Sequence, residues 1–66
     1  MDNKVQKMRT DRKVTQEELA EKVSVSRQTI IAIERGRYTP SVLLAIKIAK
    51  FFRVSVEEVF SINYEK

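Results

Sequence analysis

Apolar residues recur along the chain in short bursts of helical spacing, with polar stretches of a few residues between them. Val5 and Met8 stand three apart among Lys4, Lys7, Arg9 and Arg12, which predicts a first helix over residues 3–12 with Asp2 or Asn3 as its cap. Leu19, Ala20 and Val23 form the stripe of a second helix, and it stops at Ser24. In a third, Ile30 and Ile33 point one way, while Arg27, Gln28, Ile31, Ala32 and Arg35 point the other. From Val42 to Phe52 a fourth helix is apolar on nearly every side. Val42, Ala45, Ile48, Ala49 and Phe52 make its main stripe, and Leu43, Ile46 and Phe51 lie off it. Arg53 and Val54 connect it to a short fifth helix, from which Val56, Val59 and Phe60 close the core. The tail from Phe60 to Tyr64 alternates apolar and polar, a strand signal whose partner is either the first residues of this chain or a second subunit.

Punctuation residues support these boundaries. Thr15 with Glu18, and Ser55 with Glu58, each have the spacing of a capping box, in which side chain and backbone satisfy each other's free groups. Val14 is expected to pack as a hydrophobic staple ahead of the Thr15 cap. Ser26 offers a cap to the third helix, and Gly36 follows that helix where left-handed backbone is cheap only for glycine. Thr39 is expected to cap the fourth helix, with Pro40 in its first turn.

The third helix carries the most informative chemistry. Arginine pairs bidentately with guanine, glutamine with adenine, and apolar groups touch the thymine methyl. Arg27 and Gln28, with Ile31 and Ala32 a turn later, present that set on one face. The plain alternative is that Arg27 and Gln28 are solvated surface residues. Gln16, at the first position of the second helix, could reach a phosphate through its amide. Arg37 and Tyr38 follow Gly36 and are placed to touch sugar-phosphate; Tyr38 could equally be a lid on the core. Arg9 lies one turn on from Val5 and is expected to pair with Glu34 in a partly buried bridge. The alternative is two unrelated surface charges.

Composition narrows the picture. A chain of 66 residues makes one domain, spanning 1–66, near the lower limit for a self-sufficient core. With no Cys and no His it lacks disulfides, thiolate metal sites and the commonest general base, so neither an enzyme nor a metal centre is expected, and no cofactor. No apolar run is long enough to span a membrane, and no signal-peptide core is present at the start, so a cytoplasmic protein is expected. Neither a membrane nor a small-molecule ligand is evident as a partner. The net charge of +4 favours an anionic partner. Positive charge is concentrated in residues 1–14, 27–38 and 39–53, while the segment after residue 53 is acidic. A helix apolar all round is buried on all sides or shared with another molecule. Burial on all sides is difficult in so small a domain, so Leu43, Ile46 and Phe51, with Ile62 and Tyr64 of the tail, are expected to form a homodimer surface.

The chain resembles the Cro/repressor-type (Xre-like) helix-turn-helix regulators. The matching pieces are Thr15-Gln16-Glu17-Glu18-Leu19-Ala20, Val25-Ser26-Arg27-Gln28-Thr29-Ile30, Ile33-Glu34-Arg35-Gly36, Thr39-Pro40-Ser41, Lys47-Ile48-Ala49 and Val54-Ser55-Val56-Glu57-Glu58-Val59-Phe60. The resemblance implies an all-α, compact five-helix, lambda-repressor-like DNA-binding domain with its motif at 15–36. A short C-terminal strand is the one addition that the tail suggests. It implies a regulator, repressing through a palindromic operator of double-stranded DNA and acting as a homodimer. It also implies that the residue at Gln16 binds phosphate. Ser26, Arg27, Gln28 and Ala32 would face the operator, with Ser26 beside a phosphate, and Arg35, Arg37 and Tyr38 would lie by the backbone. Two positions depart from the family pattern. Ser24 stands where glycine is usual in the turn, and Ala32 is too short to hydrogen-bond a base edge. Two rival readings are an antitoxin-like or other protein-interaction module using the apolar surface of the fourth helix, and an RNA-binding helical domain. The second lacks the interleaved surface aromatics that stack unpaired bases.

Overall fold

A computed structural model describes residues 3–60 of the chain. Five helices follow in order: α1 (Val5–Asp11), α2 (Gln16–Lys22), α3 (Arg27–Glu34), α4 (Val42–Phe52) and α5 (Val56–Val59). The domain is all-α, and among the described residues the only β feature is an isolated antiparallel bridge between Asn3 and Phe60. One core holds the helices together. Val5 of α1, Leu19 of α2, Ile30 and Ile33 of α3, and Ile48 and Phe52 of α4 are fully buried, and Val59 of α5 almost so. Each such aliphatic or aromatic side chain contributes about 1.5–3 kcal/mol when withdrawn from water. Val14, Val25, Val54 and Val56 pack against this core from the connections and the start of α5.

The caps explain where the helices begin. Thr15 Oγ1 accepts from Glu18 N–H at 3.0 Å while Glu18 Oε1 accepts from Thr15 N–H at 2.8 Å, closing the capping box of α2. Ser55 and Glu58 do the same for α5. Helix α1 starts at Val5, two residues later than the sequence pattern places it, and Asn3 Oδ1 accepts from Val5 N–H at 3.1 Å. Helix α4 also starts later than expected. Ser41, not Thr39, is its cap, accepting from Leu44 N–H at 3.1 Å, and Pro40 lies before the helix instead of in its first turn. The shift rotates the apolar stripe. Leu44 takes the inward place, and Val42, expected in the core, is 78% exposed.

The helix ends share one device. After α1, α2, α3 and α4 a single residue turns left-handed: Lys13 (φ 59°), Ser24 (φ 62°), Gly36 (φ 73°) and Arg53 (φ 60°). At each, two backbone bonds fold back on the last turn. Around Lys13 they run from Lys13 N–H to Thr10 C=O (3.0 Å) and from Val14 N–H to Arg9 C=O (2.9 Å). Ser24 N–H to Glu21 C=O with Val25 N–H to Ala20 C=O repeats the pattern, as do the equivalent pairs at Gly36 and Arg53. This is the Schellman closure, in which glycine is the residue of least steric cost. The chain holds one glycine, so three of the four closures carry a Cβ in left-handed backbone. A residue other than glycine costs about 1–2 kcal/mol there. Ser24 bears that cost in the turn between α2 and α3.

The start of the described chain is stitched to the rest. Lys4 N–H donates to Val59 C=O at 2.7 Å, and Asn3 Nδ2 donates to Ile33 C=O at 2.7 Å. Phe60 is buried at the end of α5 in extended backbone, consistent with the first residue of the alternating tail. The remainder of that tail, including Ile62 and Tyr64, lies outside the described residues.

Candidate nucleic-acid interface

Helix α3 is held by one face and open on the other. Ile30 and Ile33 are fully buried, which fixes its rotation about its own axis. Ser26 caps its start: Ser26 Oγ accepts from Thr29 N–H at 3.2 Å, and the two hydroxyl oxygens are 3.1 Å apart. Arg27, Gln28 and Arg35 are exposed on the open face, and Ile31 and Ala32 are half-buried beside them. The turn bearing Ser24 and the cap at Ser26 set this helix against α2, its main packing neighbour.

Glu34, the last residue of α3, anchors the frame. Arg9 Nε donates to Glu34 Oε2 at 2.7 Å and Arg9 Nη2 to Glu34 Oε1 at 3.3 Å, a two-pronged pair. The side chains are only 10% and 4% exposed. Gln16 Nε2 donates to Glu34 Oε1 at 3.0 Å, and Arg9 Nη1 donates to Val14 C=O at 2.9 Å. One carboxylate thus joins α1, the start of α2 and the end of α3. Charge-assisted bonds of this kind are roughly twice as strong as neutral ones. A primary amide has a second N–H, so the Glu34 bond leaves Gln16 one donor and its carbonyl for another partner.

A cleft of about 270 Å³ runs between α1, α2 and α3, and Gln6, Gln16, Arg27, Ile31, Glu34 and Arg35 line it. It brings together Gln16 and the exposed edge of α3. Gln6 joins that lining without a signal in the sequence, because a single exposed amide on α1 looks like any solvated residue. A second, larger cleft lies at the other end of Gln16, where Lys13 and Arg27 meet. Beyond Gly36, Arg37 is exposed, and Tyr38 is 45% exposed and so does not close the core.

The apolar surface of α4 divides in two. Leu43 is 63% exposed and Ile46 37%, whereas Phe51 is half-buried and packs edge-on against Phe52 at 5.1 Å. A mostly apolar groove lies between the start of α4 and α5, with Val42, Ile46, Val56 and Phe60 along it. Among the described residues no group of acidic side chains could hold a metal ion, and no helix is long and apolar enough to cross a membrane.

Known proteins share this arrangement. A family model described as helix-turn-helix matches residues 5–59. A helix-turn-helix-type transcriptional regulator of Methanocaldococcus jannaschii is 58% identical over 60 residues, 91% of each chain. The regulator YgzD of Bacillus subtilis is 49% identical over 65 residues, 98% of each chain. Among solved structures, the restriction-modification controller protein C.AhdI of Aeromonas hydrophila superposes with a TM-score of 0.78 at 27% identity, over 85% of both chains. With its α2–α3 frame and these relatives, the chain belongs to the Xre-like helix-turn-helix family of DNA-binding transcriptional regulators.

Proposed function

We propose that this regulator is a cytoplasmic repressor, a single domain over residues 1–66, that reads a palindromic operator as a homodimer. The observation that carries the reading is the two-faced α3: fully buried at Ile30 and Ile33, and open at Arg27 and Gln28. A helix so fixed can enter a major groove as a rigid probe. Arg27 would then pair with guanine and Gln28 with adenine, while Ile31 and Ala32 supply apolar contact to thymine methyls. Gln16, Ser26, Arg35, Arg37 and Tyr38 would meet the flanking phosphates. The cationic side chains among them make affinity fall with salt. The regulatory sense is repression, because a domain seated on the operator excludes other proteins from the same stretch of DNA.

The dimer rests on the exposed apolar surface of α4. Val42, Leu43 and Ile46 form a contiguous patch of the kind soluble monomers rarely leave bare. Leu43, Ile46 and Phe51 are its proposed contacts, with Ile62 and Tyr64 of the tail. A two-fold pair would read half-sites about 34–36 Å apart, one helical turn. The same patch favours a second reading, an antitoxin-like module whose protein partner covers it. Sedimentation separates the two, since a stable dimer leaves no uncovered surface for a partner.

Selection of the purified protein on a random duplex library at near-physiological salt tests the proposal. An enriched palindrome with half-sites one turn apart supports both the readout and the dimer. A single enriched half-site keeps the DNA function and removes the dimer. Failure to enrich any sequence refutes sequence-specific binding.

A further inference from the structure

Lys13 stands in left-handed backbone at φ 59°, closing α1, where glycine would fit at lower cost. Its side chain is exposed and, among the described residues, forms no ion pair. It lines an open cleft of about 730 Å³ between the end of α1, the start of α2 and the start of α3. Thr10, Gln16, Glu17 and Arg27 share that cleft. Of its charged groups, Arg9 is already satisfied by Glu34 at 2.7 Å, which leaves Lys13 and Arg27 as the available cations against one exposed carboxylate, Glu17. Sites that hold small organic groups are of similar size, about 300–1,000 Å³.

We propose that Lys13 is a phosphate-contacting residue, holding a DNA backbone phosphate in the cleft it shares with Arg27 and Gln16. The inference rests on the DNA-binding reading above and adds a contact on the α1 side of the recognition helix. The left-handed closure turns the chain sharply from α1 into the Thr15 cap, and this places the Lys13 ammonium on the same side as Gln16 and Arg27. A glycine there would relieve the backbone and remove the cation together. Stability and DNA affinity are therefore set in opposition at this one position, whereas a lysine kept only to interact with the C-terminal dipole of α1 would serve stability alone.

The test uses the full chain with a labelled duplex taken from the library selection, or random duplex if none is enriched. Wild type, Lys13→Gly, Lys13→Gln and Ser24→Gly are titrated by fluorescence anisotropy between 50 and 200 mM salt, and each is melted by circular dichroism. Ser24→Gly is the control, with the same closure geometry and no cation. Both Lys13 variants are expected to bind more weakly on every sequence. Losing one phosphate contact lowers the log–log salt slope by about 0.9, so the fourfold salt increase should weaken them roughly threefold less than wild type. Lys13→Gly is also expected to melt a few degrees above wild type, as is Ser24→Gly, whose affinity should stay unchanged. Wild-type affinity and slope in both Lys13 variants would overturn the inference while leaving DNA binding intact. A wild type that binds no duplex at any salt removes the DNA reading and this inference with it. A lower melting point for Lys13→Gly would show that the lysine serves the helix end and would overturn the opposition between stability and binding.

Discussion

Replacing Glu34 with alanine removes the one group that α1, α2 and α3 share. Arg9 then keeps its bond to Val14 C=O but loses both bonds to the carboxylate, and Gln16 loses its partner. The Arg9 side chain is only 10% exposed, so water replaces the carboxylate poorly. Breaking a buried pair by removing one partner costs about 3–5 kcal/mol. The retained carbonyl bond and the partial exposure place Glu34→Ala toward the lower end, at about 3 kcal/mol. A domain of this size has roughly 3–10 kcal/mol in total, so the loss is a large share of it. Urea unfolding followed by circular dichroism at 222 nm reads this directly as a fall in the midpoint, and heating should show a melting point lower by more than about 10 °C. The double variant Arg9→Met, Glu34→Ala closes a cycle. Because the second change removes the stranded guanidinium, the pair should lose clearly less than the two single losses added together. A Glu34→Ala loss below about 1 kcal/mol, or strict additivity in the cycle, would refute the reasoning.

Other outcomes follow from the same geometry. Gln28→Ala should relax preference at one base position at a cost of about 1–3 kcal/mol, whereas Arg37→Ala should weaken all sequences alike; competition binding on single-base operator variants distinguishes them. Ser24→Gly should stabilise by about 0.5–1 kcal/mol, the relief of left-handed strain less the entropy that glycine adds to the unfolded chain, and a melting curve checks it. Leu43→Glu should shift the sedimentation profile from dimer to monomer while leaving the helical spectrum unchanged; an unaltered dimer would move the interface away from this surface.

Local chemistry made most of the frame legible. The Thr15–Glu18 and Ser55–Glu58 boxes, the Ser26 cap, the Gly36 closure and the paired inward Ile30 and Ile33 all act within one or two turns, so sequence spacing alone carries them. The start of α4 was ambiguous because hydroxyl residues flank Pro40 on both sides. Either could cap, and the choice of Ser41 over Thr39 decides whether Val42 or Leu44 faces the core. The closures at Lys13 and Arg53 carried no signal, since neither residue type favours left-handed backbone. The bond from Gln16 to Glu34 joins residues 18 apart and depends on how two helices pack, which no local pattern encodes. For the interface, residue type indicated Arg27 and Gln28, but only the packing of α1 against α3 brings Gln6 and Lys13 to its edges.

The anchoring of three helices on the Glu34 carboxylate has a consequence for the time course of DNA recognition. A reading head already locked in place needs no folding step after collision, so association should proceed at a similar rate on good and poor sites. Discrimination then appears as dwell time: the half-life on an operator, and not the speed of finding it, should vary with sequence.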